Sequence, residues 1–203
     1  MTRIERLVRP SIRMLEPYHC ARETVQEGLL LDANENPFPR ELKGTRVNRY
    51  PDPLQRELRG NLSLRLGVDR DQVLAGSGSD EILDWIFKVF CEPGRDRVAV
   101  TEPTYGMYRV LARIYDVDIF EWPLSDGDFE FDAEGYLGNV GGDGKVLFLC
   151  SPNNPTGNSL DAERILGVVQ EWGGLVVVDE AYVEFSSRSS LVPQVETSPN
   201  LLV

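Results

Sequence analysis

Short apolar runs, each closed by glycines or polar residues, alternate along the chain with stretches whose apolar positions recur every three or four residues. The sharpest run is Val176-Val177-Val178, which follows Gly173-Gly174 and ends abruptly in Asp179-Glu180-Ala181-Tyr182. An unbroken β-branched run predicts a strand buried on both faces, as in a parallel sheet covered by helices. Val146-Leu147-Phe148-Leu149-Cys150 predicts a second such strand, and Arg97 to Thr101 a third. Val73-Leu74-Ala75 predicts a short strand, the weakly alternating Val117 to Trp122 another, and Asn200 to Val203 a strand just beginning.

Helical periods fill the intervals. After Tyr50-Pro51-Asp52-Pro53, the leucines Leu54, Leu58 and Leu62 predict a helix that buries a leucine face and stops at Gly67. Ile82 to about Cys91 predicts a strongly apolar helix, and Met107 to Tyr115 one with Met107, Leu111 and Ile114 inward. Asp161 to Trp172 predicts a helix with Ile165, Leu166, Val169 and Trp172 on its core side. The acidic, glycine-laden Ser125 to Gly144 predicts surface loop with a short helical turn near Asp132 to Leu137. Toward the N-terminus, Pro10, Pro17, Pro37 and Pro39 interrupt any period and predict an arm with one short helix around Ile4 to Val8. Within that arm Asn34-Glu35-Asn36-Pro37 predicts a turn, because asparagine side chains bond their own backbone. The alternation of strand and helix predicts an α/β domain: a largely parallel sheet with flanking helices.

Composition narrows the function classes. A chain of 203 residues with 41% hydrophobic content supports one substantial α/β domain and an incomplete second one. No apolar run approaches a membrane span and Met1-Thr2-Arg3-Ile4 opens no signal-peptide core, so neither anchor nor secretion is expected and a cytoplasmic location is. A net charge of -12 argues against nucleic acid or an anionic membrane as partner, since both need a basic face. The widely spaced Cys20, Cys91 and Cys150 predict reduced thiols. One histidine, His19, excludes a multi-histidine zinc site and leaves a Ser-His-Asp device a single possible base.

Ligands of open parallel sheets bind beyond the carboxyl ends of the strands. There the pattern delivers Gly76-Ser77-Gly78-Ser79-Asp80-Glu81 opening a helix, Tyr105 after a strand, Asn154 beside a proline, and Asp179 with Tyr182. A glycine-rich helix start aims N–H groups and a positive dipole end at an anion. As a dinucleotide turn, Gly76-x-Gly78 lacks the third glycine. Taken together these loops suit a flat, phosphorylated, nitrogen-containing ring, and so pyridoxal 5'-phosphate. The cradle would hold the phosphate, Tyr105 stack on the ring, Asp179 pair with a protonated ring nitrogen, and Asn154 and Tyr182 donate to a ring oxyanion. Each residue also has a plainer role: Asp179 as a strand-end charge, Asp80 and Glu81 as helix first-turn acids, Tyr50 as a packing aromatic.

Asn34-Glu35-Asn36-Pro37, Tyr50-Pro51-Asp52-Pro53, Gly78-Ser79-Asp80-Glu81, Pro103-Thr104-Tyr105, Ser151-Pro152-Asn153-Asn154-Pro155-Thr156-Gly157 and Asp179-Glu180-Ala181-Tyr182 occur in this order. The series resembles that of the histidinol-phosphate aminotransferase family, among the fold-type I pyridoxal phosphate enzymes, over nearly the whole chain. The resemblance implies a cytoplasmic homodimer of histidine biosynthesis that moves an amino group between L-histidinol phosphate and 2-oxoglutarate. It further implies that Ser79 and Asp80 offer N–H groups to the cofactor phosphate, that Tyr50 reaches the phosphate of the partner subunit, and that Tyr18 and Asn36 face the substrate. It assigns residues 1–45 to an N-terminal arm with part of the small domain, and 46–203 to an incomplete cofactor-binding large domain. A cis peptide before Pro155 is expected on the same ground.

In one respect the chain departs from the family. Members carry a Schiff-base lysine in a Ser-Lys-x-x-Gly segment after the Asp-x-x-Tyr strand, whereas the lysines here are Lys43, Lys88 and Lys145, all before Asp179. The resemblance therefore implies an N-terminal portion of the enzyme, inactive by itself, without the arginines that grip phosphate and substrate. Exposed sheet edges and a bare dimer face would make it aggregation-prone. Two alternatives stand beside this: an aminotransferase or decarboxylase for another phosphorylated or aromatic amino acid, and a non-catalytic relative that binds the cofactor noncovalently.

Overall fold

The computed structural model describes residues 3–20, 23, 31–140 and 144–203. In chain order the elements are α1 (Arg3–Leu7), α2 (Pro10–Arg13), β1 (Glu41–Leu42), β2 (Thr45–Arg46), α3 (Arg56–Leu66), α4 (Ser79–Phe90), β3 (Arg97–Glu102), α5 (Met107–Ile114), β4 (Asp118–Pro123), α6 (Ala133–Asn139), β5 (Gly144–Cys150), α7 (Ala162–Glu171), β6 (Leu175–Asp179) and β7 (Leu201–Leu202). They fall into two compact units, one of residues 1–14 with 76–203 and the other of residues 15–75.

The first unit is the parallel sheet that the apolar runs predict. Its order is β4-β3-β5-β6-β7, and every neighbouring pair runs parallel. Strand residues alternate between two faces, so each apolar run feeds two cores. Leu147 and Leu149 point to one side with Val176 and Val178, where they meet Ile165, Val168 and Tyr136 from α7 and α6. Val146 and Phe148 point to the other with Val98, Val100 and Val177, against Phe87 of α4 and Tyr108 and Leu111 of α5. Ile4 and Leu7 of α1 pack against this second core. Asp161 caps α7 by accepting from the Glu163 and Arg164 N–H groups, which fixes where that helix starts.

Several elements depart from expectation. α4 starts at Ser79 rather than Ile82, because Gly78 adopts φ 86 and acts as the N-cap. The inner face of α5 is Tyr108, Leu111 and Ala112, with Ile114 left 66% exposed, so the helix is rotated from the Met107-Leu111-Ile114 face. Pro10 does not break the arm but opens α2, where its fixed φ suits a first turn. The peptide before Pro155 is cis as expected; those before Pro103 and Pro152 are cis as well. Described cysteines are free thiols, and no helix among the described residues is long and apolar enough to cross a membrane.

In the second unit, β1 and β2 form a small antiparallel hairpin. α3 ends at Gly67 as predicted, with φ 70 and its N–H bonded to the Ser63 carbonyl. However, the predicted leucine face of α3 is not buried: Leu54 is 39% and Leu58 49% exposed, and Leu62 is only half-buried. The period is present, but no apolar surface among the described residues of 15–75 covers it. Val73 is extended, yet Val73-Leu74-Ala75 forms no strand, and the Val73 carbonyl accepts instead from Arg59 Nε at 2.8 Å. Without a ladder partner, extended backbone satisfies its polar groups through side chains.

Candidate active site

β5 and β6 end level, with Cys150 opposite Asp179, so their loops leave the sheet at one edge. The loop after β3 joins them through Asn153, which is 3% exposed. Its Nδ2 donates to the Pro103 carbonyl at 2.9 Å and to Thr156 Oγ1 at 2.7 Å, while its Oδ1 accepts from Thr104 Oγ1 at 3.0 Å. This one amide spends its capacity tying two strand-end loops together. It thereby fixes the backbone that carries Tyr105 and the partly exposed Asn154.

Asp179 is half-buried at the end of β6. Its Oδ2 accepts from the Tyr108 hydroxyl at 2.8 Å and its Oδ1 from the Ala181 N–H at 3.1 Å. Each oxygen keeps a lone pair for an outside donor. Tyr108 is fully buried, stacked on Phe148 with ring centroids 5.0 Å apart and edge-on to Tyr105 at 5.7 Å. Burial, and then the charge of Asp179, push its phenol well above the ordinary range, so it keeps the proton it donates to Asp179.

Tyr105 donates to Asp80 Oδ1 at 3.1 Å, which links this cluster to the start of α4. Partial burial and the bond to Asp80 raise its phenol too. Tyr182 is 48% exposed. At the α4 start, Gly78 supplies no side-chain cap, so the first-turn N–H groups of Ser79 and Asp80 are open to an anion. Gly76 leaves room for its neighbours: a Cβ there would lie 2.9 Å from Glu81 Oε2 and 2.9 Å from Ile82 Cδ1, and both side-chain ends would have to move. Glu81 itself folds back to accept from the Ser77 N–H, a carboxylate already drawn to this positive end.

Open N–H groups, an aromatic ring and a carboxylate with free lone pairs are the donor set that a flat, anionic, nitrogen-containing ring requires. Thiol chemistry fits poorly: Cys150 is buried at this edge, and burial raises its thiol further. His19, among residues 15–75, is bonded to Glu23 at 2.8 Å.

Tyr18, Asn36 and Tyr50 belong to residues 15–75. Asn36 and Tyr50 line one open cleft of about 460 Å³, together with Arg40 and Arg49. Glu35 shapes it, accepting from Arg49 Nη1 at 2.6 Å and from the Tyr50 N–H at 2.6 Å. Asn36 makes the expected turn by accepting from the Phe38 N–H at 3.0 Å. Tyr18 lines no part of that cleft and is 89% exposed.

Sequence reasoning missed Tyr108 and Asn153. A tyrosine one turn before Leu111 on a buried face must find a partner for its hydroxyl, and that was the available signal for Tyr108. Of two adjacent asparagines, nothing in the pattern says which turns inward.

Comparison with known proteins bears on this geometry. The family model for aminotransferase class I and II matches residues 18–203. The histidinol-phosphate aminotransferase of Christiangramia forsetii is 46% identical over 204 residues, covering 98% of this chain and 57% of that protein. That of Parabacteroides distasonis is 43% identical over 205 residues, covering 100% and 58%. The chain thus spans a little over half the length of these relatives. Among solved structures, histidinol-phosphate aminotransferase from Sinorhizobium meliloti in complex with pyridoxal-5'-phosphate matches with a TM-score of 0.67 at 30% identity, over 75% of this chain and 42% of that one.

Proposed function

Because the chain belongs to the aminotransferase class I and II family, we propose that its strand-end cluster binds pyridoxal 5'-phosphate. We propose further that the protein acts in transamination between L-histidinol phosphate and 2-oxoglutarate, in the cytoplasm, as a step of histidine biosynthesis. The observation that carries this reading is Asp179, held at the carboxyl edge by Tyr108 and joined through Tyr105 to the open start of α4.

Bound pyridoxal phosphate supplies an electron sink for the pair released at the carbon bearing the amino group, provided its ring nitrogen keeps a proton. Asp179 holds that proton on the ring. Ser79 and Asp80 N–H groups bind the phosphate, Tyr105 packs on the ring face, and Asn154 and Tyr182 donate to the ring oxygen. Asn153 keeps Asn154 and Tyr105 in place. In a homodimer Tyr50 would reach the partner subunit's phosphate, with Tyr18 and Asn36 toward substrate; the cleft shared by Asn36 and Tyr50 supports grouping those two. On this reading residues 1–45 are an arm with part of the small domain, and 46–203 an incomplete cofactor-binding large domain.

The lysines favour a second, narrower reading of the 203-residue chain as a cofactor binder that does not turn over. Lys145 lies at the amino end of β5, opposite the Asp179 edge, and pairs with Asp96 at 2.6 Å. Lys88 lies in the last turn of α4, away from Ser79, and is paired to Asp84. Neither supplies a base at the carboxyl edge. Glutamate production from histidinol phosphate and 2-oxoglutarate tests both readings. A product extended beyond Val203 should form glutamate and the 203-residue chain none. Glutamate from the chain itself would refute the lysine argument, and none from the extended product would refute the substrate assignment.

A further inference from the structure

We propose that Tyr108 is a positioning residue that sets the protonation of the bound ring, acting through Asp179; this rests on the cofactor reading above. Three observations carry it. The Tyr108 hydroxyl reaches Asp179 Oδ2 at 2.8 Å, from a side chain with no exposure to water. Its ring is immobilised, stacked on Phe148 at 5.0 Å and edge-on to Tyr105 at 5.7 Å. Phe148 is itself fully buried and stacked on Phe87 at 5.4 Å, so the hydroxyl is aimed by the centre of the sheet core.

The chemistry follows from what a carboxylate does when one oxygen is tethered. The terminal torsion of an aspartate is broad and roughly two-fold, so a free Asp179 carboxylate would swing. With the Ala181 N–H on Oδ1 and Tyr108 on Oδ2, both oxygens are fixed and the outward lone pairs keep one direction. A donor on the ionised carboxylate also stabilises its charge, which leaves a shared proton on the ring nitrogen rather than on the acid. Orientation and charge therefore act in the same sense. Towards a carboxylate, which has no proton to give, Tyr108 acts as the donor, and burial keeps its phenol protonated across the working range. The same ring touches Tyr105 edge-on, so one buried side chain braces both the stacking residue and the nitrogen-binding residue.

The test uses pyridoxamine 5'-phosphate labelled with ¹⁵N in the ring, whose chemical shift reports the proton directly and needs no turnover. Bound to the wild-type protein near neutral pH, the nitrogen should resonate at the pyridinium position. In Tyr108→Phe it should move toward the pyridine position, as the affinity of the ring for its proton falls about tenfold, one pH unit of titration midpoint. Incorporation of 3-fluorotyrosine at position 108 keeps the ring volume and hydroxyl but strengthens the donor, so it should hold the pyridinium shift and guards against a folding defect in the Phe variant. An unchanged shift in Tyr108→Phe, with the ligand still bound, overturns the positioning role and leaves the cofactor reading intact. Absence of saturable binding by the wild-type protein overturns both.

Discussion

Val146, Leu147, Phe148 and Leu149 in the sheet-bearing unit are completely shielded from water, with helices on both faces, whereas Val73 is the one buried apolar side chain among the described residues of 15–75. In that second unit the ties are polar: Glu35 to Arg49 at 2.6 Å, Asp52 to Arg56 at 2.8 Å, and Arg59 to the Val73 and Arg70 carbonyls at 2.8 and 2.9 Å. Burial contributes about 25 cal/mol per Å² of apolar surface, but an exposed ion pair contributes only about 0–1 kcal/mol. The sheet unit therefore carries its own stability. Residues 15–75 keep apolar side chains such as Leu64, Phe38 and Tyr50 exposed and depend on directional bonds. The proposed cofactor site draws on the first kind of order, since Asp179, Tyr108 and Asn153 are all anchored in the sheet and its edge.

The comparison breaks most visibly at Phe148. Phe148→Ala should cost about 3–5 kcal/mol, because a fully buried ring stacked on both Phe87 and Tyr108 leaves a cavity the strands cannot close. Urea unfolding followed by tryptophan fluorescence would show it; a loss below 1 kcal/mol would mean the sheet core is not the stabilising element. Asn153→Ala is expected to cost about 2–3 kcal/mol, since the Pro103 carbonyl loses its buried donor and two threonine hydroxyls lose partners. The same variant should weaken ligand binding, as Tyr105 and Asn154 lose their common anchor.

The smallest effect lies in the second unit. Asp52 is held at about 2, first by the Arg56 backbone N–H and then by its guanidinium. A folded-state value depressed below the unfolded 3.8 means the contribution is full above that pH and is lost as pH falls through about 2. Acid titration of helix content should show α3 fraying in that window, and Asp52→Asn should remove the pH dependence. Loss of α3 already complete at pH 5 would place its support elsewhere.

Much of the sheet was legible because parallel strands buried on both faces leave an unmistakable record in Val146 to Cys150 and Val176 to Val178. The place of Asp179 at a strand end was legible for the same reason, as the first charge after such a run. What escaped depended on rotation and partnership. A shift of α5 toward Tyr108 replaced Ile114 at the core, and with it hid the hydroxyl that holds Asp179. Adjacent asparagines carry the same pattern, although Asn153 turns inward to three partners and Asn154 stays partly exposed. Val73 to Ala75 has the composition of a strand but lacks a neighbour, and α3 has a leucine period without cover. Period records which side of an element is apolar; it does not record what lies against it.

The most direct measurement is a titration of the protein with pyridoxamine 5'-phosphate, whose amine cannot form adventitious bonds with Lys43, Lys88 or Lys145. Saturable binding at one ligand per chain, lost at least tenfold in Asp179→Ala with the melting transition retained, is the expected result. Binding that survives Asp179→Ala unchanged, or no binding to the wild-type protein, would contradict a cofactor site at the carboxyl edge of this sheet.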